Sequence, residues 1–270
     1  MRRLNYFQNR PKLTKIDAIT YLERLEVNRQ EPGEAYLKQL HKAHLHQVPH
    51  ENLEIQFGRT RKWDINGLFD QIIAKPNRGG LGLELNFLFY HLLDQLGYQC
   101  YPVAAGSKKH ELGYGQYYEH MVLIVAIEES QWLVDVGSRN GPLLPKKMKE
   151  NQLQVDYNRY MRIHKDADEN WLLQVSSDMS NFSTIYGFAE KETQYIEFID
   201  KHHFYQVDPD SFYVDSKFVQ KWTKEGQMTL TGRTIANTSA NETGRPIMNE
   251  DEFLSKLEEY YDIRLADLLQ

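Results

Sequence analysis

The first third of the chain carries apolar residues at helical spacing. The segment at 35–49 is bounded by Pro32-Gly33 and by Pro49, and the segment at 63–75 stops before Pro76. A third segment, ELNFLFYHLLDQLG at 84–97, places its leucines and a phenylalanine on one face and closes at Gly97, a residue typical of helix C-termini. We therefore predict three helices, the last of which begins at the motif RGGLGLELN (78–86).

In the middle of the chain the spacing of apolar residues changes from helical to strand-like. Short β-rich runs at 98–106, 120–127, 130–137, 159–164 and 171–176 are separated by polar or Gly-containing turns, which predicts a meander or small barrel. No helix is predicted there. Beyond it we predict a connector at 207–212, two strand-like runs at 228–232 and 233–239, and a final helix from 249 with Asn249 as N-cap and Glu252 in the capping-box position. The fold class is α+β.

Composition and charge exclude several classes of function. The 270 residues are 41% hydrophobic, enough for a substantial core, and the net charge of -6 leaves no basic field for nucleic acid. The longest apolar run, Met121 to Ile127, is far short of the roughly 20 residues that span a bilayer. The N-terminus lacks the apolar region of a secretory signal. We expect no membrane partner and a cytoplasmic location, which also suits a single cysteine, Cys100, expected to be buried in a strand.

The motif RGGLGLELN places a Gly-Gly turn directly before a helix. A side chain at position 82 would therefore lie at the positive end of the helix dipole. In a cysteine enzyme this location lowers the thiol pKa and favours the reactive thiolate. The residue at this position is Gly82, which has no nucleophile to offer.

His120 and Asp135 lie on two consecutive predicted strands. If Ile127 pairs with Ser130 across the Glu128-Glu129 loop, His120 and Asp135 become diagonal neighbours on one face. A register slip of one residue would put them on opposite faces. An aspartate on the far nitrogen of a histidine fixes its tautomer, which is the second half of a nucleophile, base and orienter triad.

The order of nucleophile position, histidine and aspartate resembles the arylamine N-acetyltransferase family. The family pattern Arg-Gly-Gly-x-Cys-x-Glu-x-Asn is matched at five positions: Arg78, Gly79, Gly80, Glu84 and Asn86. Upstream, VPHENL at 48–53 is similar to the family's Ile-Pro-Phe-Glu-Asn-Leu and contains Glu51, with the expected His44 before it. Downstream, DVG at 135–137 and PL at 142–143 match as well. The similarity covers roughly residues 16 to 215.

The resemblance implies a fold and a reaction. The fold would be an N-terminal helical bundle (1–97), a central antiparallel β-barrel (98–204) and a C-terminal α/β lid (205–270). The reaction would be ping-pong transfer from acetyl-CoA, through the cysteine, to an aromatic amine, hydrazine or N-hydroxyarylamine. Acetyl-CoA would be the co-substrate and no metal is implied. We expect Arg78 to pair with Glu51 or Glu84 and to hold the domain junction.

The sequence departs from the family pattern around the expected cleft. Gly82 replaces the cysteine, Ser138 and Arg139 replace a phenylalanine and a glycine, and His50 replaces another phenylalanine. These changes indicate a remodelled cleft and favour natural divergence over a single engineered replacement. Two interpretations remain open. One is a non-catalytic protein that binds a ligand or partner, and the other is a weak direct acyltransferase that uses His120 and Asp135 as general base.

A histidine cluster near the second family motif raises the question of a metal site. His41 and His44 are three residues apart on a predicted helix and could share an ion, whereas His46 points elsewhere and Pro49 ends the stretch. We favour a helix surface over a metal site. For the His202-His203 pair, the sequence indicates no partner.

Overall fold

The computed structural model describes residues 14–107, 114, 118–238 and 244–268. Its first part is helical, with α1 (Ala18–Arg24), α2 (Glu34–Gln47), α3 (Leu53–Gln56), α4 (Ile65–Leu68) and α5 (Gly82–Gln95). The helix predicted at 63–75 is instead the short α4 continued by a π-helical turn, Phe69–Ile73. Gly97 follows α5 at φ +93°, as its predicted place at a helix end requires.

Helix α5 is buried around its whole circumference. Every residue from Gly82 to Leu93 is buried, so the single apolar face predicted for this helix is too narrow. The largest hydrophobic core surrounds α5, with α1 and α2 on one side and strands of the barrel on the other. The start of α5 is therefore buried and held in place by the elements packed around it.

An antiparallel eight-stranded sheet curls into the barrel-like body that was predicted. Its strands are β2 (Gln99–Gly106), β3 (His120–Ile127), β4 (Ser130–Val134), β5 (Lys146–Lys147), β6 (Gln154–Asp156), β7 (Arg159–Lys165), β8 (Trp171–Ser176) and β9 (Ser183–Glu192), in the order β5-β4-β3-β2-β9-β8-β7-β6. The two edges are joined through a side chain. The Gln154 carboxamide accepts from Lys147 N at 2.9 Å and donates to Lys147 O at 3.1 Å, which nearly closes the sheet.

The last part of the chain mixes helices and strands. A 3₁₀ turn (Tyr195–Phe198) leads into α6 (Ile199–Val207) and α7 (Phe212–Asp215). Four strands come next: β10 (Phe218–Thr223), β11 (Gly226–Thr231), β12 (Thr234–Asn237) and β13 (Arg245–Pro246). The described chain ends with α8 (Glu250–Tyr261) and α9 (Leu265–Leu268). Asn249 caps α8, and its side chain accepts from Glu252 N as predicted.

Helix α6 lies between the predicted β-rich runs and the predicted connector at 207–212, where the sequence pattern indicated no helix. Its sequence, IDKHHFYQV, has no apolar stripe, and only His202 and Gln206 are buried along it. Tertiary contacts of these polar residues, rather than local periodicity, hold the helix in place. The proposed domain boundary at 204/205 falls inside α6.

The second sheet joins the N-terminal third of the chain to its C-terminal part. Its order is β1-β10-β11-β12-β13, where β1 is the two-residue strand His50–Glu51. His50 pairs with Gln220 and Glu51 with Val219. The C-terminal sheet is thereby attached beside the start of α5, since His50 also forms a bridge with Gly80. In the described parts of the chain, no helix combines the length and apolar character needed to cross a membrane.

Candidate active site

The Gly79-Gly80 turn lies against the main chain of the 49–51 segment. Gly80 N donates to Pro49 O at 3.2 Å, and Glu51 N donates to Gly80 O at 3.0 Å. A Cβ at Gly79 would lie 1.7 Å from Pro49 O, so only glycine permits this approach. The turn fixes the start of α5 relative to β1.

Gly82 is packed against the main chain of Gly137. A Cβ at Gly82 would lie 2.3 Å from the carbonyl oxygen of Gly137 and 3.1 Å from its carbon. The contact is reciprocal, because a Cβ at Gly137 would lie 2.2 Å from Gly82 O. Backbone atoms therefore fill the space in which a side chain at position 82 would begin.

His120 and Asp135 meet on one face of the β3/β4 hairpin. The ladder runs from Ile127 and Ser130 to Leu123 and Val134, which is the predicted register, and Asp135 follows the last paired residue. His120 Nε2 lies 3.0 Å from Asp135 Oδ2, with 15% of the histidine side chain and none of the aspartate exposed.

The Asp135 carboxylate is held ionised by its surroundings. Its Oδ1 accepts from Asn86 Nδ2 at 2.9 Å and from the backbone N–H groups of Gly137 and Ser138, both at 3.0 Å. Burial alone would raise the pKa of Asp135, but His120, Asn86 and Gly137 outweigh it and lower the pKa to about 2. The anion accepts the Nε2 proton of His120, so in the neutral ring Nδ1 carries the lone pair and can act as a base.

Two buried side chains hold the backbone around Asp135. Asn86 accepts from Val136 N at 2.9 Å and donates to Met121 O at 2.7 Å. His41 Nε2 accepts from Asp135 N at 3.2 Å, and its Nδ1 donates to Leu143 O at 3.1 Å. Burial lowers the pKa of His41 to about 4, so the ring is neutral in this role.

The placement of His41 and His44 on a helix surface was wrong. Both are fully buried, because this side of α2 faces α5, where each ring packs edge-on against Phe89 at centroid distances of 6.3 and 5.2 Å. His44 Nε2 also lies 3.0 Å from the hydroxyl of Tyr21. Within the described residues, no group of three or more His, Cys, Asp or Glu side chains could hold a metal ion.

A buried ionic network lies beside the start of α5. Arg78 NH2 lies 3.0 Å from Glu51 and its NH1 2.8 Å from Glu54, which confirms the first of its two expected partners. The other expected partner, Glu84, is instead 2.9 Å from Arg61.

Glu84 also has a partner that the sequence did not indicate. His202 Nε2 lies 2.8 Å from Glu84 Oε1, so α6 reaches the start of α5. Glu84 accepts from Leu81 N at 2.8 Å as well. Burial alone would raise the pKa of Glu84, but Arg61 and His202 lower it to about 2. The motif glutamate thus links the segment that carries Arg61, and also α6, to the start of α5.

The residues that depart from the family pattern surround the same point. His50 is 6% exposed, with Nε2 2.9 Å from the Tyr213 hydroxyl and its ring edge against Phe218 at 5.0 Å. Ser138 and Arg139 directly follow the Asp135 loop, and the Arg139 guanidinium lies 4.4 Å from the centre of the Phe212 ring. These replacements put polar side chains where the family pattern has phenylalanine and glycine.

Sequence reasoning missed several residues at this site. Tyr186 of β9 lies with its ring 5.5 Å from that of His120, and its buried hydroxyl makes no well-oriented hydrogen bond with the described residues. Burial and the nearby Asp135 raise the pKa of Tyr186 well above its ordinary value. Arg61, His202 and Tyr213 also come from segments without a recognisable motif. Their positions at the site are evident only from the three-dimensional structure.

The chain is similar in sequence to known proteins. The model of a family described as N-acetyltransferase matches residues 35–269. Proansamycin X synthase of Amycolatopsis mediterranei (strain S699) is 26% identical over 255 residues, covering 88% of this chain and 94% of that protein. Human arylamine N-acetyltransferase 1 is 24% identical over 272 residues, covering 90% of each chain.

Solved structures show the same fold. The arylamine N-acetyltransferase of Mycobacterium abscessus superposes with a TM-score of 0.82 at 20% identity, covering 94% of this chain and 93% of the other. That of Mycobacterium tuberculosis gives 0.82 at 23% identity, covering 93% and 94%. With the family model matching most of its length, this chain belongs to the arylamine N-acetyltransferase family.

Proposed function

We propose that this family member does not perform ping-pong acetyl transfer and instead uses its remodelled cleft to bind a small ligand. The observation that carries the proposal is the contact of Gly137 with Gly82. The Gly137 carbonyl oxygen lies 2.3 Å from the first atom that a side chain at position 82 would have. The position therefore lacks both the thiol and the space for it.

No other cysteine can take over the covalent step. In the family reaction the cysteine accepts the acetyl group from acetyl-CoA and passes it to the amine. Cys100 is 3% exposed, lies in β2, and has its sulfur 4.0 Å from Tyr90 O in the last part of α5. A buried thiol among apolar groups stays protonated and is a poor nucleophile.

A second function is favoured by the intact His120 and Asp135 pair. An amine held beside acetyl-CoA could attack the thioester carbonyl directly, while His120 Nδ1 takes the amine proton and the CoA thiolate leaves. The ionised Asp135 supports this, since it would stabilise the imidazolium that forms. Without the covalent stage, one difficult transfer is no longer divided into two easier ones, so the rate would be low.

An acetyl-transfer assay separates the two functions. Arylamine acetylation would be followed with the wild-type chain, with His120→Asn and with Gly82→Cys. The ligand-binding function predicts no difference between wild type and His120→Asn, and no recovery in Gly82→Cys because Gly137 blocks the side chain. Turnover by wild type that is lost in His120→Asn would support direct transfer instead. Efficient turnover by Gly82→Cys would contradict the blocked position.

We also propose a three-part division of the chain, a cytoplasmic location and a class of ligand. The division at 97/98 and 204/205 would separate bundle, barrel and lid, with α6 extending across the second boundary. A cytoplasmic location is supported by the single cysteine, which needs no oxidising compartment. Acyl-CoA and small aromatic amines remain the candidate ligands that family membership suggests.

A further inference from the structure

We propose that Asn140, in the loop after β4, is a self-modification site whose side-chain amide is converted to the carboxylate of aspartate or isoaspartate. The chain has two Asn-Gly pairs, Asn140-Gly141 and Asn66-Gly67. Both asparagines are exposed. Their surroundings differ, and only those of Asn140 favour the reaction. This chemistry needs no bound ligand and is independent of the proposed function.

The reaction is a ring closure between neighbouring residues, followed by hydrolysis. The main-chain nitrogen of Gly141 gives its proton to base in the solvent and attacks Cγ of Asn140. The bond from Cγ to Nδ2 breaks, and the amide nitrogen takes a proton from water and leaves as ammonia. Water then opens the succinimide at Cγ to give aspartate, or at the main-chain carbonyl carbon to give isoaspartate. The net change is the uptake of one water and the release of one ammonia.

The backbone at Asn140 is a turn, whereas Asn66 lies inside a helix. Gly141 N donates to Ser138 O at 3.2 Å, at the long end of the range for an N–H donor. Ring closure needs a rotation about the bond before the glycine nitrogen. In the turn this rotation breaks one long hydrogen bond, but at Asn66 it would disrupt α4. Glycine also has no side chain to hinder the attack.

Arg159 favours the anionic form of the reacting peptide group. Its NH1 donates to Asn140 O at 3.3 Å, and its NH2 donates to Gly141 O. Asn140 O and Gly141 N belong to the same peptide group, so negative charge left on the nitrogen is shared with that oxygen. The guanidinium stabilises this charge through a charge-assisted hydrogen bond.

The Asn66-Gly67 pair has the opposite electrostatic environment. Gly67 N donates to the carboxylate of Asp64 at 2.8 Å. A negative group that accepts from this N–H opposes the loss of its proton, because the two charges would repel each other. Two pairs with the same residue types are therefore expected to react at different rates.

A carboxylate also lies near Gly141, but it does not hold the reacting N–H. Asp135 Oδ2 is 3.3 Å from the position that a Cβ on Gly141 would take. Within the described residues Gly141 N donates to Ser138 O and not to Asp135. The Asp135 oxygens accept instead from His120, from Asn86 and from the N–H groups of residues 137 and 138. Arg159 is therefore the charged side chain that hydrogen-bonds the reacting peptide group.

Conversion would change both the charge and the length of this loop. Aspartate at position 140 adds one negative charge next to Arg139 in sequence and beside the Arg159 guanidinium. Nearby guanidinium groups stabilise such a carboxylate. Isoaspartate also adds one methylene to the main chain of the loop that carries Gly137, whose carbonyl closes position 82.

The test is incubation of the wild-type chain at mildly alkaline pH, followed by chymotryptic peptide mapping. Mass spectrometry follows the change from amide to acid at each asparagine, and an isoaspartyl methyltransferase identifies isoaspartate. We expect Asn140 to convert about tenfold faster than Asn66, the effect on a rate of one charge-assisted hydrogen bond. In the chain unfolded by urea the two rates should be similar, because the structural differences are gone.

Arg159→Gln and Arg162→Gln are the matched variants. Both remove an arginine of β7, but Arg162 hydrogen-bonds Gln174 instead of the reacting loop. Arg159→Gln should slow conversion at Asn140 about fivefold, whereas Arg162→Gln should leave it unchanged. Equal rates at Asn140 and Asn66 in the folded wild-type chain, or a rate in Arg159→Gln that is not lowered, would overturn the inference. The comparison of the two asparagines needs no substitution, so it holds whether or not Arg159→Gln folds.

Discussion

The carbonyl oxygen of Gly137 lies 2.3 Å from the position that a Cβ would take at Gly82, and a Cβ at Gly137 would lie 2.2 Å from Gly82 O. Two glycines 55 residues apart thus bring the start of α5 and the loop after β4 into backbone contact. The obstacle is main chain on both sides, which cannot rotate away as a flexible side chain could. The nucleophile position is closed as well as empty.

Gly82→Ala should destabilise the protein even though alanine favours helices. We expect a loss of about 1–3 kcal/mol in the free energy of unfolding, the usual effect of overpacking a buried position. Gly232→Ala is the control, because the nearest atom to its Cβ would be 3.7 Å away. Both are measured by chemical denaturation. An unchanged midpoint for Gly82→Ala would mean that the Gly137 segment moves aside easily.

Asn86→Ala should be among the most destabilising substitutions at the site. The change removes a donor to Met121 O and Asp135 Oδ1 and an acceptor for Val136 N, all buried. Leaving these groups unpaired should cost about 2–4 kcal/mol in the free energy of unfolding. Exposed Asn28→Ala serves as the comparison. A loss no larger than that of the comparison would show that water replaces the amide.

Glu84→Gln tests the buried ionic network. The change removes the negative charge opposite Arg61 and leaves one acceptor oxygen where Arg61 and His202, both buried, now use two. Because uncompensated charge is then left in the interior, we expect a loss of about 3–5 kcal/mol in the free energy of unfolding. The loss should be insensitive to salt. The surface pair of Glu34 and Lys38 provides the contrast, and Glu34→Gln should have little effect. Comparable losses for the two variants would argue against the network.

Stability should fall as the pH decreases from 7 to 5. The folded-state pKa values of His41 and His50 are lowered from 6.5 to about 4 and about 3, mainly by burial. Below pH 6.5 these histidines are protonated in the unfolded chain but stay neutral in the folded one. Each histidine therefore lowers the free energy of unfolding by about 2 kcal/mol at pH 5. Asp135 and Glu84 act at lower pH, since their contribution is lost only as the pH falls below their ordinary values toward 2.

Replacing one buried histidine isolates this effect. His50→Phe should reduce the loss of stability between pH 7 and pH 5 by about 2 kcal/mol, because one protonation site of the unfolded chain disappears. His203→Asn, at an exposed position of α6, should leave the loss unchanged. The two variants are compared by urea denaturation at both pH values. Equal pH dependence in His50→Phe and wild type would show that His50 is not buried in its neutral form.

The sequence alone was enough to predict two contacts of the site, one from hairpin geometry and one from the order of the motifs. The hairpin register that pairs His120 with Asp135 follows from a two-residue loop and alternating strands, and it is correct. The link between Arg78 and Glu51 came from motif order and is also present. Short-range geometry and matched motifs were sufficient for these two contacts.

The features of the site that the sequence did not predict depend on packing between residues far apart in the chain. His41 and His44 have a surface-like pattern, yet their side of α2 is covered by Phe89 of α5. His202 has no local signal because its partner, Glu84, is 118 residues away. The sequence showed a missing thiol at Gly82, but the closure of that position by Gly137 depends on how two distant backbone segments pack.

The most direct test of the central claim is the intact mass of the wild-type chain after incubation with acetyl-CoA, with His120→Asn alongside. A chain whose nucleophile position is both empty and closed should show no added acetyl group in either sample. A stable acetyl adduct on the wild-type chain that disappears in His120→Asn would contradict the account.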